Sequence, residues 1–180
     1  GKSSWYFDSP LDSTSQYESY ITKELVPYVD ANFSTKASSN SRAITGLSMG
    51  GHGALYLAIR HSDIFGAAGS TSGGFDFRPF PKSWNLQNLL GAYEINKERW
   101  YDYTVMRQVE LLTNKQLSIV FDCGVDDIFI AVNRALHEKL LTLKIDHDYI
   151  ERSGGHNHAY WRSSIDFQML FFHQFFQKNK

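Results

Sequence analysis

Short apolar runs alternate along this chain with stretches that are apolar at every third or fourth position. Tyr17, Tyr20, Ile21, Leu25, Tyr28 and Val29 recur at helical spacing. They predict a helix that Pro27 should kink or stop early, because proline lacks the N–H a helix interior uses. Ser41 to Thr45 reads as a short strand, and Gly50 to Arg60 as a helix directly behind it. Gly66 to Ser72 and Leu117 to Phe121 are small-residue or apolar runs of strand length, which suits strands covered on both faces. Ala131, Val132, Ala135, Leu136, Leu140 and Leu143 outline an amphipathic helix, and His147 to Glu151 a further strand ahead of Ser153-Gly154-Gly155. In the tail, Trp161, Ile165, Met169, Phe172 and Phe176 step by three or four, so this stripe should lie on a sheet.

Strands alternating with helices predict an α/β fold, a mainly parallel sheet with helices on both faces. Residues 1–180 fit one domain, since a chain of this length can bury a real core. Within it, 75–108 is a lid-like insertion: FDFRPFPKSWNLQNLLGAY and ERWYDY break the alternation for longer than an ordinary connection does.

Composition narrows the function classes. The 18 basic and 19 acidic residues nearly cancel, and no Lys/Arg run exists, so nothing builds the basic stripe that nucleic acid requires. No apolar run is long enough to span a membrane. The single Cys123 rules out an intramolecular disulfide framework and leaves compartment open, cytoplasmic and periplasmic or secreted settings both being compatible. Asn32-Phe33-Ser34 matches a glycosylation sequon of the kind that chance supplies.

The chemistry concentrates at Gly46-Leu47-Ser48-Met49-Gly50. A G-x-S-x-G between a strand and a helix is the pattern of a nucleophile elbow, where a serine sits on a strained turn. Gly46 and Gly50 are expected to be required there because a side chain would strike the neighbouring strand or helix. A serine hydroxyl needs a positioned base, which in turn needs a carboxylate to fix its tautomer. Loops after two later strands carry Asp122-Cys123-Gly124-Val125-Asp126-Asp127 and Gly154-Gly155-His156-Asn157-His158. Of the seven histidines, His52, His137 and His173 fall on predicted helices and His61 and His147 at element ends. His156 and His158 remain, and position favours His156. Asp126 and Asp127 cannot be separated by position, and Asp122, still close to its strand, ranks third. The Met49 N–H is one candidate oxyanion donor. Phe75, Phe77, Trp84, Trp100 and Tyr101 are candidate walls of a substrate pocket. No set of Cys and His ligands points to a metal, and no cofactor is implied.

GLSMGGHGALYLA, FGAAGSTSGG, CGVDD, NRALHEKL and GGHNHAYW together resemble the esterase D-like esterases of the α/β-hydrolase superfamily, a group that includes feruloyl, acetyl-xylan and tributyrin esterases, S-formylglutathione hydrolases and mycolyltransferases. The resemblance covers nearly the whole chain. It implies a three-layer α/β-hydrolase fold, a serine carboxylesterase acting on an ester such as a carbohydrate-linked acetyl or feruloyl group, and Ser48, Asp127 and His156 as nucleophile, acid and base. Members of the family also carry additional N-terminal strands with an HG-type oxyanion loop. That pattern is absent here, since the single His-Gly pair, His52-Gly53, lies in the elbow helix. The expectation is therefore a sheet short of its N-terminal strands, completed by a preceding segment that is either cleaved yet retained or absent from this sequence, with an N-terminal companion fragment or a homo-oligomer as the expected partners. Acyl transfer to an alcohol, and a non-catalytic scaffold that binds carbohydrate or a partner chain, are the competing readings.

Overall fold

In the computed structural model, which describes residues 3–179, four parallel strands form one sheet in the order β1-β2-β3-β4. They are β1 (Ala43–Leu47), β2 (Ala67–Thr71), β3 (Ser118–Gly124) and β4 (Asp148–Arg152), the four strands predicted, with ends displaced by a few residues. Three helices connect and cover them: α1 (Met49–Arg60), α2 (Ile130–Thr142) and α3 (His158–Lys178). Along β3 the side chains alternate between the faces. Ile119 and Phe121 join Leu55, Leu57 and Leu136 in the main core, whereas Val120 meets Phe172 and Phe175 of α3 on the opposite face. The result is a three-layer α/β fold.

Pro27 does not end the first helix. Helical turns continue from Tyr17–Ser19 through a π-helical segment, Tyr20–Leu25, into Val26–Asn32. The Val26 N–H reaches back to the Ile21 carbonyl, five residues away. This wider register stands directly ahead of the proline, at the point where a regular helix would need the missing N–H.

The tail helix departs from its predicted orientation. Its buried stripe is Tyr160, Ser164, Gln168, Phe172 and Phe175, while Ile165, Met169 and Phe176 are exposed. The reason is a buried charge. Asp122, 1% exposed at the end of β3, accepts hydrogen bonds from Thr71 Oγ1, Ser164 Oγ and Gln168 Nε2, and the Arg152 guanidinium lies at 3.5 Å. An unpaired buried carboxylate is very costly, so its donors hold the inner face and turn most of the apolar stripe outward.

The segment 75–108 holds short helices at Leu86–Leu90, Lys97–Asp102 and Val105–Gln108. Phe75, Phe77, Leu86, Leu90, Trp100 and Val105 from it are fully buried in the main core.

Candidate active site

β1 delivers the chain to Ser48, whose φ of 55° and ψ of −121° lie outside the ordinary regions for a residue with a side chain. The turn holds because the Ser48 N–H donates to the Thr71 carbonyl at 2.9 Å, and the Ser48 carbonyl accepts from His52 N–H at 3.1 Å as α1 begins. Gly46 is essential to it: a Cβ there would collide with the Gly50 carbonyl. Gly50 behaves otherwise than expected, since a Cβ at that position meets nothing within 4 Å. The second crowded position is Gly51, where a Cβ would run into Ser70 Oγ and the backbone of Gly73.

Two loops at the carboxyl ends of β3 and β4 bring Asp127 and His156 to this serine. Val125 N–H donates to the Arg152 carbonyl, and Asp126 N–H to the Gly154 carbonyl, each at 2.9 Å. A Cβ on Gly124 would strike the Gly154 carbonyl, so the loops approach as closely as they do only because Gly124 has none. This lacing leaves Asp126 exposed and turns Asp127 inward, 3% exposed. His156 Nδ1 stands 3.0 Å from both Asp127 carboxylate oxygens, and its Nε2 stands 2.9 Å from Ser48 Oγ. The carboxylate can only accept, so Nδ1 carries the proton and the Nε2 lone pair faces the serine hydroxyl. Burial raises the Asp127 pKa, but the hydrogen bonds from His156, the Phe129 N–H and the nearby Ser72 hydroxyl more than offset it and hold the carboxyl below its ordinary range. His158 lies exposed on α3 and takes no part in this chain of hydrogen bonds.

Met49 is the first residue of α1, where N–H groups have no partner within the helix and the dipole favours negative charge. The other proposed site residues fare differently. Phe75, Phe77 and Trp100 are 0% exposed and belong to the core, packed there as the largest apolar groups of the chain tend to be. Tyr101 donates to Glu110 and lies beneath the Arg78 guanidinium, 4.4 Å from the ring centroid, so it braces the surface of the insertion. Trp84 stays half-buried, packed on Phe129 and Phe80.

Sequence reasoning passed over the residues that frame His156. Phe129 and Trp161 stand edge-on to its ring at 5.3 and 5.0 Å, and the Trp161 indole donates to Ser72 Oγ at 3.2 Å. In the sequence Trp161 is one member of an apolar stripe and the last residue of GGHNHAYW. Its indole N–H, which a half-buried tryptophan usually spends on a hydrogen bond, was the signal available. His52 is fully buried, with Nδ1 3.1 Å from the Trp5 carbonyl oxygen and Nε2 3.0 Å from the Tyr103 carbonyl oxygen; burial pushes its pKa down to about 4 against the pull of those two acceptors, and the ring sits between the N-terminal segment and the insertion. Among the described residues, no group of three or more His, Cys, Asp or Glu side chains could hold a metal ion, and no helix is long and apolar enough to cross a membrane.

Comparison with known proteins finds esterases and related hydrolases among the chain's relatives. The chain is 28% identical over 182 residues to an esterase of Mycobacterium tuberculosis, an alignment covering 87% of this chain and 40% of that protein. It is 26% identical over 157 residues to S-formylglutathione hydrolase of Mus musculus, covering 86% and 54%. Among solved structures, a ferulic acid esterase superposes with a TM-score of 0.75 at 26% identity, over 93% of this chain and 62% of that one. The chain thus spans about half the length of the curated relatives it matches. A family profile described as "Putative esterase" matches residues 2–172, and the chain belongs to that esterase family.

Proposed function

We propose that this chain carries the catalytic residues of a serine carboxylesterase that works through an acyl-enzyme. The observation that supports this most directly is the run of hydrogen bonds from Ser48 Oγ through His156 to the buried Asp127, anchored on a strained elbow. His156 Nε2 takes the Ser48 proton as Oγ attacks the ester carbonyl carbon, and Asp127 stabilises the imidazolium that forms. The Met49 N–H donates to the oxyanion. Collapse expels the alcohol, which leaves with the proton held on His156. Water, deprotonated by the same nitrogen, then attacks the acyl group and frees the acid and Ser48. The relatives named for feruloyl and formylglutathione esters support a carboxylic ester or thioester substrate, and a carbohydrate-linked acyl group is the substrate class to test first.

A second oxyanion donor comes, in this proposal, from chain lying along the outer edge of β1. That edge pairs with no strand among the described residues, and Leu47 on it is 44% exposed. Grooves of about 470 and 380 Å³ flank it, the first lined by Tyr6, Ile21, Ile44 and Met49, the second by Trp161 and Ile165. The occupant is a companion polypeptide or another copy of the chain.

A fluorophosphonate probe followed by peptide mapping tests the nucleophile. One adduct on Ser48, lost in His156→Ala, is expected, together with turnover of acetyl and feruloyl saccharides. A folded chain that labels elsewhere, or not at all, overturns the reading. Faster product formation with an added alcohol than with water would replace hydrolysis by acyl transfer. Native mass spectrometry tests the edge: full turnover by a lone monomer removes the need for an occupant.

A further inference from the structure

One buried amide ties the two halves of the site together. Asn133, near the start of α2, is 0% exposed. Its Nδ2 donates to the Gly73 carbonyl at 2.8 Å and to the Phe129 carbonyl at 2.9 Å. Each acceptor belongs to a segment that grips one end of the Ser48–His156–Asp127 run. Past β2, Ser72 turns the chain at φ of 53° into Gly73 and Gly74, and the Gly74 N–H donates to the Ser48 carbonyl at 3.3 Å. On the other side, the Phe129 N–H donates to Asp127 Oδ1 at 2.8 Å, and the Phe129 ring stands edge-on to His156 at 5.3 Å.

The neighbours orient the amide: carbonyls only accept, so the nitrogen with its two protons faces them both. The segment past β2 needs such a hold. A Cβ on Gly73 would strike the Phe75 ring and Ser70 Oγ, so the crossing is made of glycine, and two glycines in succession keep one shape only when something outside fixes them. The lacing through Val125 and Asp126 joins the loops of Asp127 and His156 to each other; Asn133 joins that unit to the turn that holds Ser48. The imidazole between them is rigid. His156 stands 2.9 Å from Ser48 Oγ and 3.0 Å from Asp127 only while the gap between serine and carboxylate matches the width of its ring. We propose that Asn133 is a positioning residue that sets this gap by bonding the clasp of the elbow to the Asp127 loop. This rests on the esterase reading above.

Packing alone does not call for an amide here. Leu136 and Leu140, one and two turns further along the same face of α2, are fully buried and apolar. The Asn133 Oδ1 makes no hydrogen bond among the described residues, which is a net cost for a buried acceptor. An apolar side chain would avoid that cost and would lose the bond to Gly73. The Phe129 carbonyl already accepts the Asn133 backbone N–H at 3.0 Å as part of the helix, so the bond to Gly73 is the one that only the side chain makes.

The test uses the full chain with two substitutions. Asn133→Leu keeps the volume and loses both side-chain bonds. Asn133→Thr returns a hydroxyl to the Phe129 carbonyl, as threonine does within a helix, and does not reach Gly73. Amide hydrogen exchange reads the tie directly: residues 73–75 are expected to exchange at least about tenfold faster in both variants, with β1 to β4 unchanged. Turnover of an activated acetyl ester, counted per Ser48 labelled by a fluorophosphonate, should fall about ten- to a hundredfold in kcat with KM within about twofold, as a displaced reacting group requires. In an Asp127→Asn background the same substitutions should cost less than about threefold, because the contact they misplace is already disarmed. Unmoved exchange at 73–75 overturns the proposal, as does an unchanged kcat per labelled site, or an equal loss of kcat in both backgrounds, which marks a general fault in folding. Failure of Ser48 to label in the unmodified chain would overturn the esterase reading alone, since the exchange comparison decides the tie without it.

Discussion

The two sides of the nucleophile strand are finished to different degrees. On its inner side, β2, β3 and β4 continue the sheet in unbroken parallel register. Their loops are laced together through Val125, Asp126, Arg152 and Gly154, and a buried carboxylate, Asp122, gathers donors from two strands and a helix. On its outer side, β1 has no partner strand among the described residues, and grooves lie along both of its faces. Asp127 and His156, the proposed acid and base, belong to the inner side, where hydrogen bonds over-determine their positions. The proposed oxyanion site lies toward the outer side, with Met49 N–H at the start of α1 as its proposed donor. Holding a triad requires a packed scaffold on one side of a serine, whereas stabilising the developing charge requires donors from both.

That contrast can be broken most sharply from the inside. Asp127→Asn leaves the shape of the site but removes the charge that fixes the His156 tautomer, and kcat should fall about 10⁴-fold in an ester assay with the fold unchanged by circular dichroism. Next comes the outer edge. If an occupant of β1 supplies the second donor, its removal should cost about 10² to 10³ in kcat with little change at KM, measured on the separated chain against the complex.

Stability sharpens the contrast further. Gly46→Ala drives a methyl group into the Gly50 carbonyl and should cost about 3 kcal/mol in urea unfolding, whereas Gly50→Ala, in open space on a helix, should be neutral or gain up to about 1 kcal/mol. On α3, Ser164→Ala removes a donor from the buried Asp122 and should cost about 1–3 kcal/mol, while Ile165→Gln, one residue along and 42% exposed, should stay within about 0.5 kcal/mol.

The smallest expected effect is on acid stability. The Asp127 carboxyl is held below its ordinary value in the folded chain, so its stabilisation is complete above the unfolded carboxyl range near pH 4 and fades as pH falls through the lower folded value. Asp127→Asn should therefore lose fewer degrees of Tm between pH 6 and 3 than the unmodified chain does.

Ser48, Asp127 and His156 were legible because strand and helix punctuation placed three loops at one edge of a sheet. Position leaves Asp126 and Asp127 open, the resemblance implies Asp127, and the lacing of the two loops turns the Asp127 carboxyl inward toward His156 and leaves Asp126 in water. The aromatic candidates show the opposite limit. Phe75, Phe77 and Trp100 look alike in sequence whether they wall a pocket or fill a core, since the same apolar area serves either. The stripe on α3 misled for a related reason: periodicity counts apolar residues along one helix and cannot see the charge on β3 that claims the facing surface.

The order of strands and helices, the elbow, and the loops bearing acid and base are thus written in the local pattern, because backbone periodicity and glycine placement are local properties. The rotation of α3, the inward turn of Asp127, the framing of His156 by Phe129 and Trp161, and, among the described residues, the unpaired edge of β1 were decided by tertiary structure. Each depends on which distant groups must share a buried hydrogen bond or a strand edge, and that pairing has no signature within a single stretch of sequence.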